Sequence, residues 1–581
     1  MTGRIGQALR RQWGWLADYR LSWFSDDLVA AIVVTILLVP QSLAYALLAG
    51  LPPQVGIYAS IAPLVAYALL GSSSQLTVGP TAVISLMTAA AIATMPEEMR
   101  IVGAAALALV VGVMLLVAGL FRAGFLMNFV SRPVVSAYIT GAALLIIISQ
   151  LRHVLGIDAG GRTAWAMVSG LAGQLGEVHT LTLGIGLAAV VAFYLARNAF
   201  AYRLVKAGVR SSRARLASRV APIVIIGVFL VLSAVLELSE RGLAIVGEVP
   251  RGLPPLRVPM VELSFFEGLL VPAAVIAIVA FVDSTSTAQE LAARRREAID
   301  SDRELLGLGA ANLAAGLSGG YAVNGSMSRS AVNAAAGGRS PVSGLIVAAF
   351  MALTALFLTP LLRALPLAVL AALIIVACFS LLDFKSIWRT WVYSRIDGLT
   401  ALATFLSVLV FGVQWGVLVG VVLAMALHIR TTVTPHMPLV GRFPGTEHYR
   451  DAERFVVETS DTVKTLRIDE SLYYANARTL EERVAEVVER SEAMTDLVLM
   501  CPAVNRIDAS ALSSLETINQ RLQAAGVRLH FSDMQSRVRE RLYRSNFLDR
   551  LSGQIFLSQH EAMEALSEPD FSFLDDHIDM H

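Results

Sequence analysis

Two stretches far apart in the chain read alike: Val78-Gly79-Pro80-Thr81-Ala82-Val83 and Ser328-Arg329-Ser330-Ala331-Val332. Each follows a polar, Gly-containing run and opens an apolar segment too short to cross a bilayer alone. Small or hydroxyl residues ahead of Ala-Val suit the first turn of a helix. A helix N-terminus carries partial positive charge and unpaired N–H groups, so two such starts facing each other would attract an anion. In transporters built from inverted repeats, interrupted segments at matching positions point to the substrate site.

Arg329 adds a full charge. A cation inside a membrane segment is costly and faces a cavity or a partner. At a helix N-terminus it also opposes the dipole, and a bound anion would relieve both penalties. The structural alternative is an ion pair with Asp283. Ser328, Ser330, Thr81 and Gly79 offer hydroxyl and backbone N–H groups to an oxyanion; the alternative for such small residues is close helix packing. Pro80 lacks an N–H, which is harmless in a first turn. Gln41 and Tyr45, four apart, share one helix face, and Pro40 is expected to break that first span. Ordinary packing and an interhelical hydrogen bond are the alternative for this pair. Asp283 follows a long, nearly uniform apolar run, and an ionisable group there is a functional hypothesis in itself. With Thr287 one turn on, it could load a proton or a sodium ion; a helix cap is the alternative.

These residues need a membrane scaffold, and composition supplies one. Of 581 residues, 56% are hydrophobic and 16% charged, against about 25% charged in soluble domains; mean hydropathy is +0.64. The net charge of +1 gives no field that would draw nucleic acid. Cys378 and Cys501 imply no disulfide. The histidines show no metal-ligand spacing and no phosphate-binding loop occurs. No cofactor is expected, the chain does not read as an enzyme, and transport must be secondary or passive. Residues 1–25, with Arg4, Arg10, Arg11 and Arg20, read as a cytoplasmic lead-in.

Apolar segments of spanning length recur through residues 26–430. They fall near 27–49, 55–70, 78–95, 101–121, 130–150, 180–198, 220–237, 265–288, 304–319, 325–336, 341–360, 364–382, 396–412 and 414–430, about fourteen in all. Lys and Arg concentrate on one side, in the cluster Arg203, Lys206, Arg210, Arg213, Arg215 and Arg219, then Arg294, Arg295, Arg296 and Arg303, then Lys385, Arg389 and Arg395. This places both termini in the cytoplasm; the expected location is the cell's inner (plasma) membrane. The spans divide about the loop Glu237–Glu262 into two sets of seven; an odd number per set inverts the second, and the short segment is the third of each.

The run 431–446, rich in Pro and Gly, reads as a linker. Residues 447–570 read as a soluble α/β domain, with 571–581 a tail. Candidate strands are Arg454–Glu458, Val463–Ile468, Leu497–Met500 and Val527–Phe531; candidate helices are Ala477–Glu489, Ala509–Ala525 and Ser536–Arg544. Asp508 sits where an N-cap belongs.

Several motifs are specific together: Pro40-Gln41-Ser42-Leu43-Ala44-Tyr45-Ala46, Gly50-Leu51-Pro52-Pro53-Gln54-Val55-Gly56-Ile57-Tyr58, Thr77-Val78-Gly79-Pro80-Thr81-Ala82-Val83, and Asn324-Gly325-Ser326-Met327-Ser328-Arg329-Ser330. In this order they closely resemble the SulP family of anion permeases, which includes sulfate transporters, pendrin and prestin. The C-terminal part resembles a STAS domain. The resemblance implies an α-helical membrane fold of fourteen segments in two inverted repeats, split into core and gate domains. It also implies dimers and an elevator-like movement of the core. Ser328 and Arg329 match anion-coordinating positions, and Gln41 and Tyr45 match positions lining the pocket. Thr81 stands where other members carry an aromatic ring, which would leave room for a larger or more hydrated anion. Asp283 and Thr287 match sodium ligands of the bicarbonate-transporting branch, but Met327 departs from that branch's pattern. Ser510 matches a phosphorylated serine of bacterial STAS proteins. The expected function is proton-coupled transport of sulfate. Bicarbonate or a dicarboxylate, with sodium, is the alternative, as is an anion channel.

Overall fold

The computed structural model describes residues 19–125, 131–159, 161, 163–208, 210–248, 250–256, 263–566 and 572–573. Most of the expected N-terminal lead-in and C-terminal tail lies outside them. The chain forms two compact units, Met1–Ala424 and Met425–His581.

The first unit is helical. It opens with α1 (Phe24–Leu48), α2 (Pro53–Tyr58), α3 (Ala62–Leu70), strand β1 (Val78–Gly79), α4 (Ala82–Ile92), α5 (Glu97–Leu120), α6 (Arg132–Leu155) and α7 (Ala164–Gly173). Next come α8 (Thr180–Asn198), α9 (Phe200–Lys206), α10 (Ser211–Val235), α11 (Leu263–Glu267), α12 (Leu270–Arg295) and α13 (Ser301–Leu317). Strand β2 (Asn324–Gly325) and α14 (Met327–Ala335) follow, then α15 (Val342–Leu353), α16 (Leu367–Cys378), α17 (Phe384–Tyr393), α18 (Arg395–Phe411) and α19 (Val413–Val433). Among the described residues, seven helical stretches are long and apolar enough to cross a bilayer, and five shorter apolar helices accompany them. The two stretches singled out in the sequence do begin short helices: α4 has 11 residues and α14 has 9. At 1.5 Å per residue neither can cross about 30 Å of hydrocarbon.

Three local expectations are corrected. Pro40 does not break the first span; α1 runs through it. Proline's φ is helical, and a carbonyl that loses its partner is tolerated inside a packed bundle. The span 55–70 is two pieces, α2 and α3, separated by the turn at Ala59–Ile61. Three helices of this unit were unforeseen: α7, α9 and α17. Of these, α17 exposes Phe384, Trp388, Val392 and Tyr393 beside Lys385 and Arg389, the pattern of a helix lying in the membrane interface.

Helix α13 positions the centre of this unit. Asp300 caps it, Oδ1 accepting from the N–H groups of Asp302 and Arg303 at 3.0 and 3.2 Å. It packs along α5 where Gly112 and Gly309 face each other; a Cβ on Gly112 would fall 2.7 Å from Leu313 N, so only glycine permits this approach. Glu304, fully buried in its first turn, accepts from Tyr67 Oη, Ser72 N, Ser72 Oγ and Ser73 N at 2.6–3.2 Å. This fixes the chain entering β1. Further along, Asn312 takes both backbone groups of Val323, N–H to Oδ1 at 2.9 Å and Nδ2 to O at 3.0 Å, which fixes the chain entering β2.

The second unit holds a parallel sheet, β6 (Val463–Arg467), β7 (Asp496–Met500) and β8 (Arg528–Ser532), in that order. An antiparallel sheet, β4 (Tyr449–Asp451), β3 (Val440–Arg442), β5 (Glu458–Thr459) and β9 (Ser572–Phe573), accompanies it. Helices α20 (Ala477–Glu489) and α21 (Ala509–Ala524) pack together. Within the expected linker 431–446, α19 reaches Val433 and β3 occupies Val440–Arg442. The expected strand Arg454–Glu458 is a strand only at Glu458, where β5 begins; ahead of it Asp451 Oδ1 accepts from Glu453 N at 2.9 Å and turns the chain. Asp508 caps α21 as expected, Oδ1 accepting from Ala511 N at 2.9 Å. Ser510 lies exposed in that first turn.

His530, on β8, is buried between fixed partners. Its Nε2 bonds Asp496 Oδ1 at 2.8 Å and its Nδ1 accepts from Gln554 N at 3.0 Å. Burial holds the imidazole below its ordinary value, and Arg528 adds to this, while Asp496 pulls the other way. A folded-state value below the unfolded one, about 6.5, means that the unfolded chain binds more protons as pH falls. Stability contributed here is present above about pH 6.5 and lost below it. Hydrogen exchange of β7 and β8 should accelerate, after correction for intrinsic rates, between about pH 7.5 and 5.5, and less so in His530→Gln. In the first unit, Glu304→Ala should cost about 2–4 kcal/mol by stranding several donors, measured by unfolding of the purified protein.

Candidate functional site: two helix starts around a buried arginine

Strands β1 and β2 pair antiparallel, Val78 with Gly325 and Gly79 with Asn324. Ser326 N continues the ladder to Thr77 O at 3.0 Å. From this bridge α4 and α14 depart, with Thr81 and Ser326 at their N-cap positions and neither side chain capping its own helix.

Among the described residues Arg329 is the largest fully buried side chain, at 0% exposure. Its Nη1 donates to Pro80 O at 2.8 Å and to Gln41 Oε1 at 3.3 Å. Nε and Nη2 are buried without a hydrogen-bond partner. Gly79 lies beside the guanidinium: a Cβ there would stand 3.4 Å from Nη2, with Ser60 Oγ at 3.9 Å. Tyr45 and Tyr321 lie within electrostatic reach of the same group. The structure thus gathers Gln41, Tyr45, Gly79 and Arg329 around one point at the start of the two helices.

The other expected residues divide. Ser330 Oγ accepts from Thr77 N at 2.8 Å, which makes it a strut between the two stretches. Ser328 Oγ stands 3.3 Å from Ser326 Oγ. Thr81 Oγ1 donates to Asn324 Oδ1 at 2.5 Å. Asp283 does not pair with Arg329; its Oδ2 accepts from Asn324 Nδ2 at 2.7 Å. Asp283 also lines a mainly apolar cavity of about 30 Å³ with Val83, Tyr138, Val279 and Val282, room for about two waters. Ser284 Oγ accepts from Gly325 N at 2.8 Å, tying β2 to α12. Thr287 is buried one turn beyond.

Sequence reasoning missed Asn324 as a participant. Its signal was available: a polar amide directly before Gly325-Ser326, in an interruption where backbone and side chains must satisfy one another. Ser42 and Ser60, whose hydroxyls lie 2.7 Å apart, were also missed.

The arrangement can hold a compact anion. Two helix dipoles and a guanidinium with unpaired donors converge where solvent is scarce, and charge-assisted hydrogen bonds are strong there. Gly79→Val should push a branched side chain into the guanidinium and weaken anion binding about tenfold, the worth of one such bond. Gly79→Ala, at ordinary contact distance, should bind within about twofold of wild type. Calorimetric titration with sulfate checks both.

The chain matches the sulfate permease family over residues 24–404 and the STAS domain over residues 454–562. A probable sulfate transporter of Mycobacterium tuberculosis is 35% identical over 94% of this chain and 96% of its own. The chloroplastic sulfate transporter 4.1 of Arabidopsis thaliana is 32% identical over 95% and 81%. The murine Solute Carrier 26 family member A9 anion transporter, solved facing inward, shares the fold with a TM-score of 0.86 at 23% identity, over 97% of this chain and 95% of that one. The transmembrane domain of a cyanobacterial bicarbonate transporter aligns over 70% of this chain and 98% of its own, at a TM-score of 0.57 and 23% identity. The helical bundle with its interrupted spans, the motifs around Arg329 and the appended α/β domain therefore converge on one assignment: this chain is a multi-pass membrane anion transporter of the sulfate permease family.

Proposed function

We propose that the protein is a secondary active transporter of sulfate, driven by protons, with the anion held between the N-termini of α4 and α14. Arg329 carries this reading. A buried guanidinium with two nitrogens lacking partners costs several kcal/mol unless a negative group meets it. A doubly charged tetrahedral oxyanion answers that need and also the two helix dipoles. Gln41, Tyr45 and the backbone about Gly79 complete the polar wall. The names of the relatives from Mycobacterium tuberculosis and Arabidopsis support sulfate.

Asp283 is the coupling group in this proposal. It stands one side chain away from Thr81, through Asn324, close enough for a loaded cation to influence the anion without touching it. A proton there neutralises the acid and lets a charged body cross a low-dielectric barrier at lower cost. The site moves as part of a core carried past a gate, with both termini in the cytoplasm of the plasma membrane.

Reconstituted protein should accumulate labelled sulfate when a proton gradient is imposed. Labelled bicarbonate and fumarate in parallel identify the competing substrates. Arg329→Ala should weaken sulfate binding about 100-fold, and unchanged affinity would remove it from the site. Asp283→Asn should abolish uphill accumulation yet keep sulfate–sulfate exchange; accumulation that persists places coupling elsewhere.

A further inference from the structure

Asn324 joins the two sites in a way set by hydrogen-bond direction. It is fully buried, so water cannot serve its amide. Nδ2 donates to Asp283 Oδ2 at 2.7 Å, and Oδ1 accepts from Thr81 Oγ1 at 2.5 Å. Thr81 has one hydroxyl proton, and Asn324 takes it. The remaining lone pairs of Thr81 can only accept, whereas an oxyanion offers only acceptors. In this arrangement Thr81, partly exposed at the start of α4, cannot donate to a bound anion.

Turning the amide over reverses every bond in the chain. Nδ2 would then donate to Thr81 Oγ1 and release the hydroxyl proton toward the site. Oδ1 would face Asp283, which is repulsive against a bare carboxylate. It becomes favourable when Asp283 carries a proton, as an O–H donor, or a sodium ion that both oxygens can share. We infer that Asn324 is a two-position relay: it makes Thr81 a donor to the transported anion only when Asp283 is loaded with its coupling cation. This rests on Asp283 being the coupling group.

The surroundings leave the relay undisturbed. Tyr138 on α6, near Asp283, donates to Met87 Sδ at 3.2 Å. Arg329 on α14 is bonded to Pro80 and Gln41. Helices α5 and α13, also packed on α12, carry their charged residues in their first turns, Glu97, Glu98 and Arg100 in one and Asp302, Arg303 and Glu304 in the other. Helix α4 has none.

The test is sulfate affinity of the full-length protein in lipid nanodiscs, at about pH 5.5 and about pH 8, with and without sodium. Wild type should bind about tenfold tighter in the loading condition, the worth of one added hydrogen bond to a charged group. Asn324→Leu should bring that ratio near one. A purely structural role would weaken binding equally in all conditions and leave the ratio intact. Thr81→Val removes only the hydroxyl and should also give a ratio near one, which keeps the test decisive if Asn324→Leu fails to fold. A wild-type ratio of one overturns the relay. So does a full ratio in Asn324→Leu or Thr81→Val while Asp283→Asn is flat; that result leaves Asp283 as the coupling group. A full ratio in Asp283→Asn overturns the coupling assignment itself.

Discussion

Two antiparallel residue pairs, Val78 with Gly325 and Gly79 with Asn324, hold the membrane unit together at its most exposed weakness. An interrupted helix leaves peptide groups without partners, and hydrocarbon offers none. Here each interruption satisfies the other. The solution has a geometric by-product: two helix starts emerge from one bridge, and the donors that regular structure leaves unused gather there. What surrounds the bridge maintains it. Glu304 and Asn312, both on α13, fix the chain entering each strand, while Ser284 and Ser330 take N–H groups on either side of it.

Two carboxylates of this unit show how environment separates structure from function. Glu304 is saturated by donors from Tyr67, Ser72 and Ser73. Its hydrogen bonds make it a clamp on the chain entering β1. Asp283 is bonded to Asn324, which can turn, and it borders a small cavity. A buried acid with a reversible partner is suited to loading and unloading.

Much of this was legible in the order of residues. The helix starts at Thr81 and Ser326 showed through their small and hydroxyl residues, and the depth of Asp283 showed through the apolar run before it. Asp508 announced its cap because capping is local. Partnerships across the fold were not legible. The sequence offered an ion pair with Asp283 as the structural alternative for Arg329, but the structure inserts Asn324 beside the acid and gives the arginine a carbonyl and an amide. Ser330 read as a ligand candidate, and the structure adds that its Oγ accepts from Thr77 N across the two stretches, a partnership that depends on packing. Pro40 looked like a break because its effect on an isolated helix is strong, and a surrounding bundle overrides it.

The partners of Arg329 lie 249 and 288 residues upstream, at Pro80 and Gln41. Helix α14 is short and carries Ser328, Arg329, Ser330 and Asn333, so it has little hydrophobic reason to enter a bilayer by itself. Its insertion is favoured once a first half offers the Pro80 carbonyl and the Gln41 amide. The segment that carries the buried arginine thus takes its polar partners from the first half of the chain.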